Sequence, residues 1–164
     1  MIASVIVDVP AKQTDRPFDY RIPDHLEGVI TPGMRVVVPF GPRKIQGFVI
    51  SIQASSEFDK LRDIIAPMDI VPVLNKELLK LGDWLSEETL CYRISAYQVM
   101  LPAALKAKYE KRIRVTTDRN LLSPILQNVF EQSSTVSFDG IEKDAWKALQ
   151  KEIANGHVEF IYEV

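Results

Sequence analysis

Cysteine and histidine are almost missing from this chain: Cys91 is its one cysteine, and His25 and His157 are its two histidines, in 164 residues. A single thiol closes no internal disulfide and the three residues share no zinc-site spacing, so a reducing compartment, the cytoplasm, is expected and a bound metal is not. Charge of one sign is not in excess either, since 20 Lys and Arg stand against 22 Asp and Glu for a net charge of −2. Any nucleic-acid surface must then come from local clustering. No apolar run approaches the roughly 20 residues that cross a bilayer. The first residues, Met1-Ile2-Ala3-Ser4-Val5-Ile6-Val7, alternate like a strand, lack a basic region and meet Asp8, so they are not read as a secretion signal. No Gly-x-x-x-x-Gly-Lys-Ser/Thr loop and no nucleophile paired with a base stand in the sequence, so no enzyme activity is expected of this stretch.

What is present is an ordinary globular composition, 46% hydrophobic and 26% charged, long enough for one large domain or two small ones with modest cores. Ile2 to Val9 is β-branched at most positions, with Val5, Val7 and Val9 on one face, and predicts a strand stopped by Pro10. Phe18 to Ile22 alternates ring, acid, ring and cation before Pro23, a second short strand. Met34 to Phe40 is the strongest strand pattern, ended by Pro39-Phe40-Gly41-Pro42 because prolines deny the ladder its donors. Ile45 to Gln53 resumes as a strand in which Gly47 allows a bulge or the close approach of another backbone. Arg35 to Gln53 is therefore read as a hairpin with Arg43 and Lys44 at its tip. With one more strand near Leu61 to Ile65, these short strands point to a small curved β-barrel.

After Pro72, Asn75 stands where an N-cap belongs, and Leu78, Leu81, Trp84 and Leu85 share one helical face. Ile94, Tyr97 and Leu101 form a second stripe. Two helices closing the first domain are expected, with Trp84 and Cys91 in the core. Lys106, Lys108, Lys111, Arg112 and Arg114 then place five cations within nine residues, opposed only by Glu110. This run reads either as a solvated linker or as a connector that tracks phosphates. Leu121, Leu122, Ile125, Leu126, Val129 and Phe130 predict an amphipathic helix with Pro124 in its first turn. Ser137 is placed to cap the next element, and Ala145, Trp146, Leu149 and Ile153 mark another helix that Asn155-Gly156 closes. His157 to Val164 alternates as a closing strand. Helix, short element, helix, strand is the order of a winged helix, and the sequence stops where a wing needs its second strand, so a wing cut short is expected. The expected fold class is α+β: a barrel-like domain with closing helices over 1–105, a basic linker over 106–114 and a winged helix over 115–164.

The stretch that asks for a chemical explanation is Arg16-Pro17-Phe18-Asp19-Tyr20, one carboxylate between two rings, taken with Pro39-Phe40-Gly41. A carboxylate among rings costs free energy unless donors reach it. Asp19 is then either a local turn or ion-pair partner of Arg16 or Arg21, or an acceptor for a ligand's hydroxyl or amine, since it would repel a phosphate. Aromatic side chains stack on any base for about 1–3 kcal/mol. Gly41 lets a backbone come close, and Arg62, Arg43 or Lys44 are placed to neutralise phosphates. Phe18 and Tyr20 share a strand face by period two, so one of them is read as core. Glu142, Lys143, Asp144, Lys147, Lys151 and Glu152 balance three against three, which is poor chemistry for reading DNA.

Asp15-Arg16-Pro17-Phe18-Asp19-Tyr20-Arg21-Ile22-Pro23 and Pro32-Gly33-Met34-Arg35-Val36-Val37-Val38-Pro39-Phe40-Gly41 closely resemble the N-terminal part of the primosomal protein N′ (PriA) family of bacterial replication-restart helicases. Pro72-Val73-Leu74, Trp84-Leu85 and Met100-Leu101-Pro102 with Leu105-Lys106 continue the resemblance to about residue 112. It implies a 3′-DNA-binding domain that holds the 3′-hydroxyl end of a nascent leading strand at a stalled or branched fork, followed by a winged helix. ATP and zinc belong to the family's helicase part, which has no counterpart here, so no cofactor is implied. The implied 3′-end residues are Phe18, Asp19, Tyr20, Gly41 and Arg62, the last standing where the family commonly has lysine. Phosphate contacts are expected from Arg43, Lys44, Lys106, Lys108, Lys111 and Arg112. Implied partners are branched DNA, single-stranded DNA 3′ ends, other primosome proteins and single-stranded DNA-binding protein, with no membrane. The balanced charge of Glu142 to Ile153 leaves a second function open, a protein-docking platform for primosome assembly.

Overall fold

The structure is a computed structural model that describes residues 1–106 and 110–163. It is α+β and divides into two compact units, Met1–Leu101 and Pro102–Val164. Among the described residues, no helix is long and apolar enough to cross a membrane.

The first unit is an antiparallel sheet with two helices. Its strands β1 (Ile2–Val7), β2 (Phe18–Arg21), β3 (Arg35–Phe40), β4 (Arg43–Gln53) and β5 (Ala66–Pro67) lie in the order β2-β1-β4-β3-β5. Strand β1 does not alternate between core and solvent as its pattern suggested, because Ala3, Val5, Ile6 and Val7 are all fully buried. Its two edges are paired with β2 and β4, and the burial of consecutive residues shows that both of its faces are covered. The bulge expected near Gly47 lies instead where β1 shifts register between Ser4 and Val5, with Val5 opposite Val49 and Ser4 opposite Ser51. Gly47 serves the other purpose, close approach: a Cβ there would stand 2.5 Å from Val5 Cγ1 and 2.8 Å from the Ile6 carbonyl oxygen.

The β3–β4 hairpin is tighter than the sequence suggested, since Phe40 pairs directly with Arg43 and only Gly41 and Pro42 turn the chain. Gly41 has φ +58°, as a two-residue hairpin of type II′ asks of its first central residue. Pro39 stays inside β3 because the pairing of β5 stops at Val37, so its missing N–H leaves no ladder bond unmade on that edge.

The sheet is open rather than a closed barrel. Among the described residues no continuous ladder joins its edges, but one stretch reaches across: Arg21 N donates to Arg62 O, Ile64 N to Arg21 O, and Ile65 N to Val37 O, each at 2.9 Å. Arg62 is thus carried on the stretch that runs from the edge strand β2 past β3 into the other edge strand, β5.

Helix α1 (Lys76–Thr89) begins as expected, with Asn75 Oδ1 accepting from Leu78 N at 2.8 Å. Its buried face is different. Leu79 and Gly82 are buried, whereas Leu81 and Trp84 are 41% and 55% exposed. A Cβ on Gly82 would stand 2.5 Å from Tyr97 Cε1, so α1 meets α2 (Arg93–Val99) through a glycine under a ring rather than through the Leu81–Trp84 stripe. Cys91 is half-buried, not core. Ile94, Tyr97 and Leu101 are buried as their spacing predicted.

The second unit comprises α3 (Ala103–Lys106), β6 (Glu110–Val115), α4 (Pro124–Val129), β7 (Thr135–Ser137), α5 (Trp146–Ala154) and β8 (Val158–Glu163). Its sheet order is β7-β6-β8. Much of the stretch read as a basic linker is therefore a central strand: Ile113 is fully buried, Lys111 and Arg112 are partly buried, and Arg114 is exposed. Lys111 Nζ lies 5.8 Å from the centre of the Phe138 ring, and Arg114 is ion-paired with Glu159, its direct partner on β8. Helix α4 is shorter than its stripe because Pro124 stands at its first position. Leu122, Leu126 and Phe130 are buried, whereas Leu121 and Ile125 point outward. The Ser137 side chain makes no cap bond. Gly156 closes α5 with φ +74° and donates to the Ile153 carbonyl.

Candidate functional site

The chemistry of the first unit starts from the pairing of β2 with β1. Phe18, Asp19 and Tyr20 stand opposite Val5, Ser4 and Ala3, so Asp19 faces the one hydroxyl of an otherwise apolar strand. Ser4 Oγ donates to Asp19 Oδ1 at 2.7 Å, and Gln53 Nε2 and Ser56 Oγ donate to Oδ2 at 3.1 and 2.6 Å. Three neutral donors, one from β1 and two from the end of β4 and the residues just after it, thus hold the carboxylate, and neither expected arginine does. Arg16 lies over the Phe18 ring at 4.7 Å, and Arg21 pairs with Asp63 at 3.4 Å.

On the opposite face of β2 the two rings separate in role. Tyr20 is 5% exposed and its hydroxyl donates to the Pro39 carbonyl at 3.1 Å, so it is a core residue that forms a wall. Burial pushes that hydroxyl above its ordinary pKa, and the nearby Arg62 guanidinium offsets part of the rise. Phe18 is half-buried and meets Phe40 edge to face, with ring centres 5.3 Å apart.

A cavity of about 320 Å³ opens here, and Phe18, Asp19, Tyr20, Gly41 and Arg62 all line it. Arg62 is exposed, and its Nη1 donates to the Gly41 carbonyl at 2.8 Å, tying the stretch that spans the sheet edges to the hairpin turn. A Cβ on Gly41 would meet nothing within 4 Å, so the glycine answers the turn's positive φ and the space above it is open. Arg43 and Lys44 are exposed beside the turn but are not among the lining residues. Lys111 and the partly buried Arg112 belong to the second unit, as does the backbone of Lys106, and Lys108 lies outside the described residues.

Sequence reasoning missed Ser4, Gln53 and Ser56 as the holders of Asp19, and Phe58 and Lys60 as further lining residues. Ser4 carried a readable signal, a lone hydroxyl within a buried apolar strand that needs a partner. Ser56, Phe58 and Lys60 come after the last regular strand residue of β4, where no periodicity points anywhere.

Comparison with known proteins agrees with this geography. The family model described as the 3′ DNA-binding domain of PriA matches residues 4–102, nearly the span of the first unit. The replication restart protein PriA of Bacillus subtilis is 45% identical over 99% of this chain, which covers 20% of that protein. The PriA of Haemophilus influenzae is 34% identical over 54% of the chain and 12% of its own length. The probable replication restart protein PriA of Mycobacterium tuberculosis is 30% identical over 68% of the chain and 17% of its own length. The chain thus spans about a fifth or less of the length of these relatives, and it belongs to the PriA 3′ DNA-binding-domain family.

Proposed function

We propose that the cavity beside β2 takes the 3′-terminal nucleotide of a DNA strand, and that the chain is a non-catalytic module recognising stalled or branched forks for replication restart in the cytoplasm. One observation carries this reading: Phe18, Asp19, Tyr20, Gly41 and Arg62, drawn from three separate stretches, line a single cavity. Asp19 accepts a hydrogen bond from the terminal 3′-hydroxyl and repels a phosphate at that place. Arg62 neutralises the phosphate behind the last sugar, with Arg43 and Lys44 near the turn adding attraction. Phe18 and Tyr20 give the cavity its apolar wall.

The second unit fits a winged helix in which the central strand of the sheet, β6, comes first in the chain, ahead of α4 and α5. Its cations on β6, together with Lys106 and Lys108, add phosphate contacts. A docking surface for primosome proteins and single-stranded DNA-binding protein is favoured as a second reading by Leu121 and Ile125, which are 63% and 50% exposed, and by an Arg114 already neutralised by Glu159. Replacing both apolar residues with glutamate should leave fork affinity unchanged and abolish partner capture; loss of fork binding would count against docking.

The deciding experiment compares forks whose leading-strand end is a 3′-hydroxyl or a 3′-phosphate, at two salt concentrations. The phosphate should weaken binding by about tenfold, some 1.4 kcal/mol, at both. Equal affinity for the two ends would remove the end-recognition reading and leave only phosphate attraction.

A further inference from the structure

Four rings line the cavity beside β2: Phe18, Tyr20, Phe40 and Phe58. Three are already engaged within the protein. Tyr20 is buried and bonded to Pro39, while Phe18 and Phe40 are half-buried against each other with Arg16 over the former. Phe58 is different, at 61% exposed in the stretch between β4 and Arg62. An apolar ring left in water at the mouth of a cavity is unfavourable by itself, since burying it would gain free energy in proportion to the area covered.

Its backbone is nevertheless tied to the site. Phe58 N donates to Ser56 Oγ at 3.2 Å, and the same Ser56 Oγ donates to Asp19 Oδ2 at 2.6 Å. One hydroxyl therefore links the backbone of Phe58 to the Asp19 carboxylate. Asp19 and Phe58 also both border a second hollow of about 300 Å³, lined further by Gln53 and Ser56, so this pair forms the partition between the two spaces. Lys60, two residues on, lines the first cavity on the same stretch and brings a cation toward it.

We infer that Phe58 is the stacking residue for the terminal base in this cavity, and that Ser56 positions it through Asp19. This rests on the reading of the cavity as a 3′-end site. It reassigns the stacking contact from the Phe18–Tyr20 pair to a ring on the connecting stretch. A ring that touches only the flat face of a base tolerates all four bases, as capture of an arbitrary 3′ end requires. Ser56 couples the two halves of recognition: a hydroxyl arriving at Asp19 competes with or adds to the Ser56 bond that sets where Phe58 sits.

The test uses the whole chain and two fluorescent forks with 3′-hydroxyl ends, one ending in a normal nucleotide and one in an abasic residue. Phe58→Ala should weaken binding of the normal fork by roughly tenfold, within the range of one lost stack. It should leave the abasic fork unchanged, Phe58→Tyr should restore affinity, and Ser56→Ala, which loosens Asp19 as well, should weaken both forks and the normal one more. Melting temperatures of the variants should match the parent, because the ring is exposed. Equal losses on both forks, or no loss in Phe58→Ala while Asp19→Ala still abolishes the preference for 3′-hydroxyl over 3′-phosphate, would overturn the role of Phe58 and leave the cavity standing. If Asp19→Ala is also silent, the cavity reading itself falls.

Discussion

Arg62 donates to the Gly41 carbonyl at 2.8 Å, which joins the stretch spanning the two sheet edges to the turn of the β3–β4 hairpin. The contact is exposed, so its worth for stability is small, and its consequence is placement of a cation at the cavity rim. Arg62→Ala should lower fork affinity about equally for all sequences and reduce the slope of log affinity against log salt by about one phosphate contact. Arg62→Lys should keep the slope while losing the planar fork that holds Gly41. Titrations at three salt concentrations separate the two; an unchanged slope in Arg62→Ala would remove the residue from the phosphate path.

Asp19 has Ser4, Gln53 and Ser56 as donors, and removing the carboxylate strands the partly buried hydroxyl of Ser4 within an apolar strand. Asp19→Ala should therefore cost about 1–3 kcal/mol of folding stability as well as end recognition. Urea unfolding measures the first effect. Binding must be compared below the variant's transition, and the comparison of 3′-hydroxyl with 3′-phosphate ends on the unaltered chain is free of the complication.

What the sequence made legible were the features decided by neighbours within a few residues: the hairpin around Gly41, the Asn75 cap and the Gly156 stop. The cavity came into view because Phe18, Asp19 and Tyr20 are consecutive and chemically odd together. Trp84 and Leu81 were misplaced because α1 approaches α2 through Gly82, and an apolar pattern gives a glycine no weight. The strand at Glu110–Val115 was hidden because four of its residues, Glu110, Lys111, Arg112 and Arg114, are charged, and only pairing on both edges makes it a strand. Ser56 and Phe58 reach Asp19 across 37 and 39 positions, a separation that local pattern does not carry.

Arg35 and Asp69 form a buried pair that sequence pattern also did not reveal, with Arg35 Nε and Nη2 donating to Asp69 Oδ2 and Oδ1 at 2.8 and 2.7 Å and exposures of 3% and 6%. Arg35 N adds a third bond at 3.2 Å, and Met68 N donates to Arg35 O, so the pair clamps β5 to β3. Breaking one side leaves a buried charge, and Asp69→Ala should cost about 3–5 kcal/mol. Replacing both residues with apolar ones should cost less than that single change. A double substitution worse than Asp69→Ala would show that the pair's geometry, not the relief of burial, is what stabilises the edge.

Tyr97 packs over Gly82 with its ring fully buried, and its hydroxyl donates to Asp83 Oδ1 at 2.6 Å while Arg93 Nη2 donates to it at 3.2 Å. Burial raises its pKa far above the ordinary tyrosine value of 10.0, the bond to Asp83 adds to the rise, and Arg93 opposes it. In the unfolded chain the same phenol loses its proton near pH 10. Above that pH the unfolded state binds fewer protons than the native state, so stability is fully present below about pH 10 and falls as pH rises toward the native pKa. Tyr20 is raised by burial as well and contributes in the same direction. The midpoint of urea unfolding should hold steady from pH 8 to about 9.5 and drop beyond it. Tyr97→Phe should start lower, because Asp83 loses a donor, and drop less steeply. Parallel slopes for the two proteins would mean that Tyr97 ionises in the native state as readily as in the unfolded chain, against the burial that the Gly82 contact imposes.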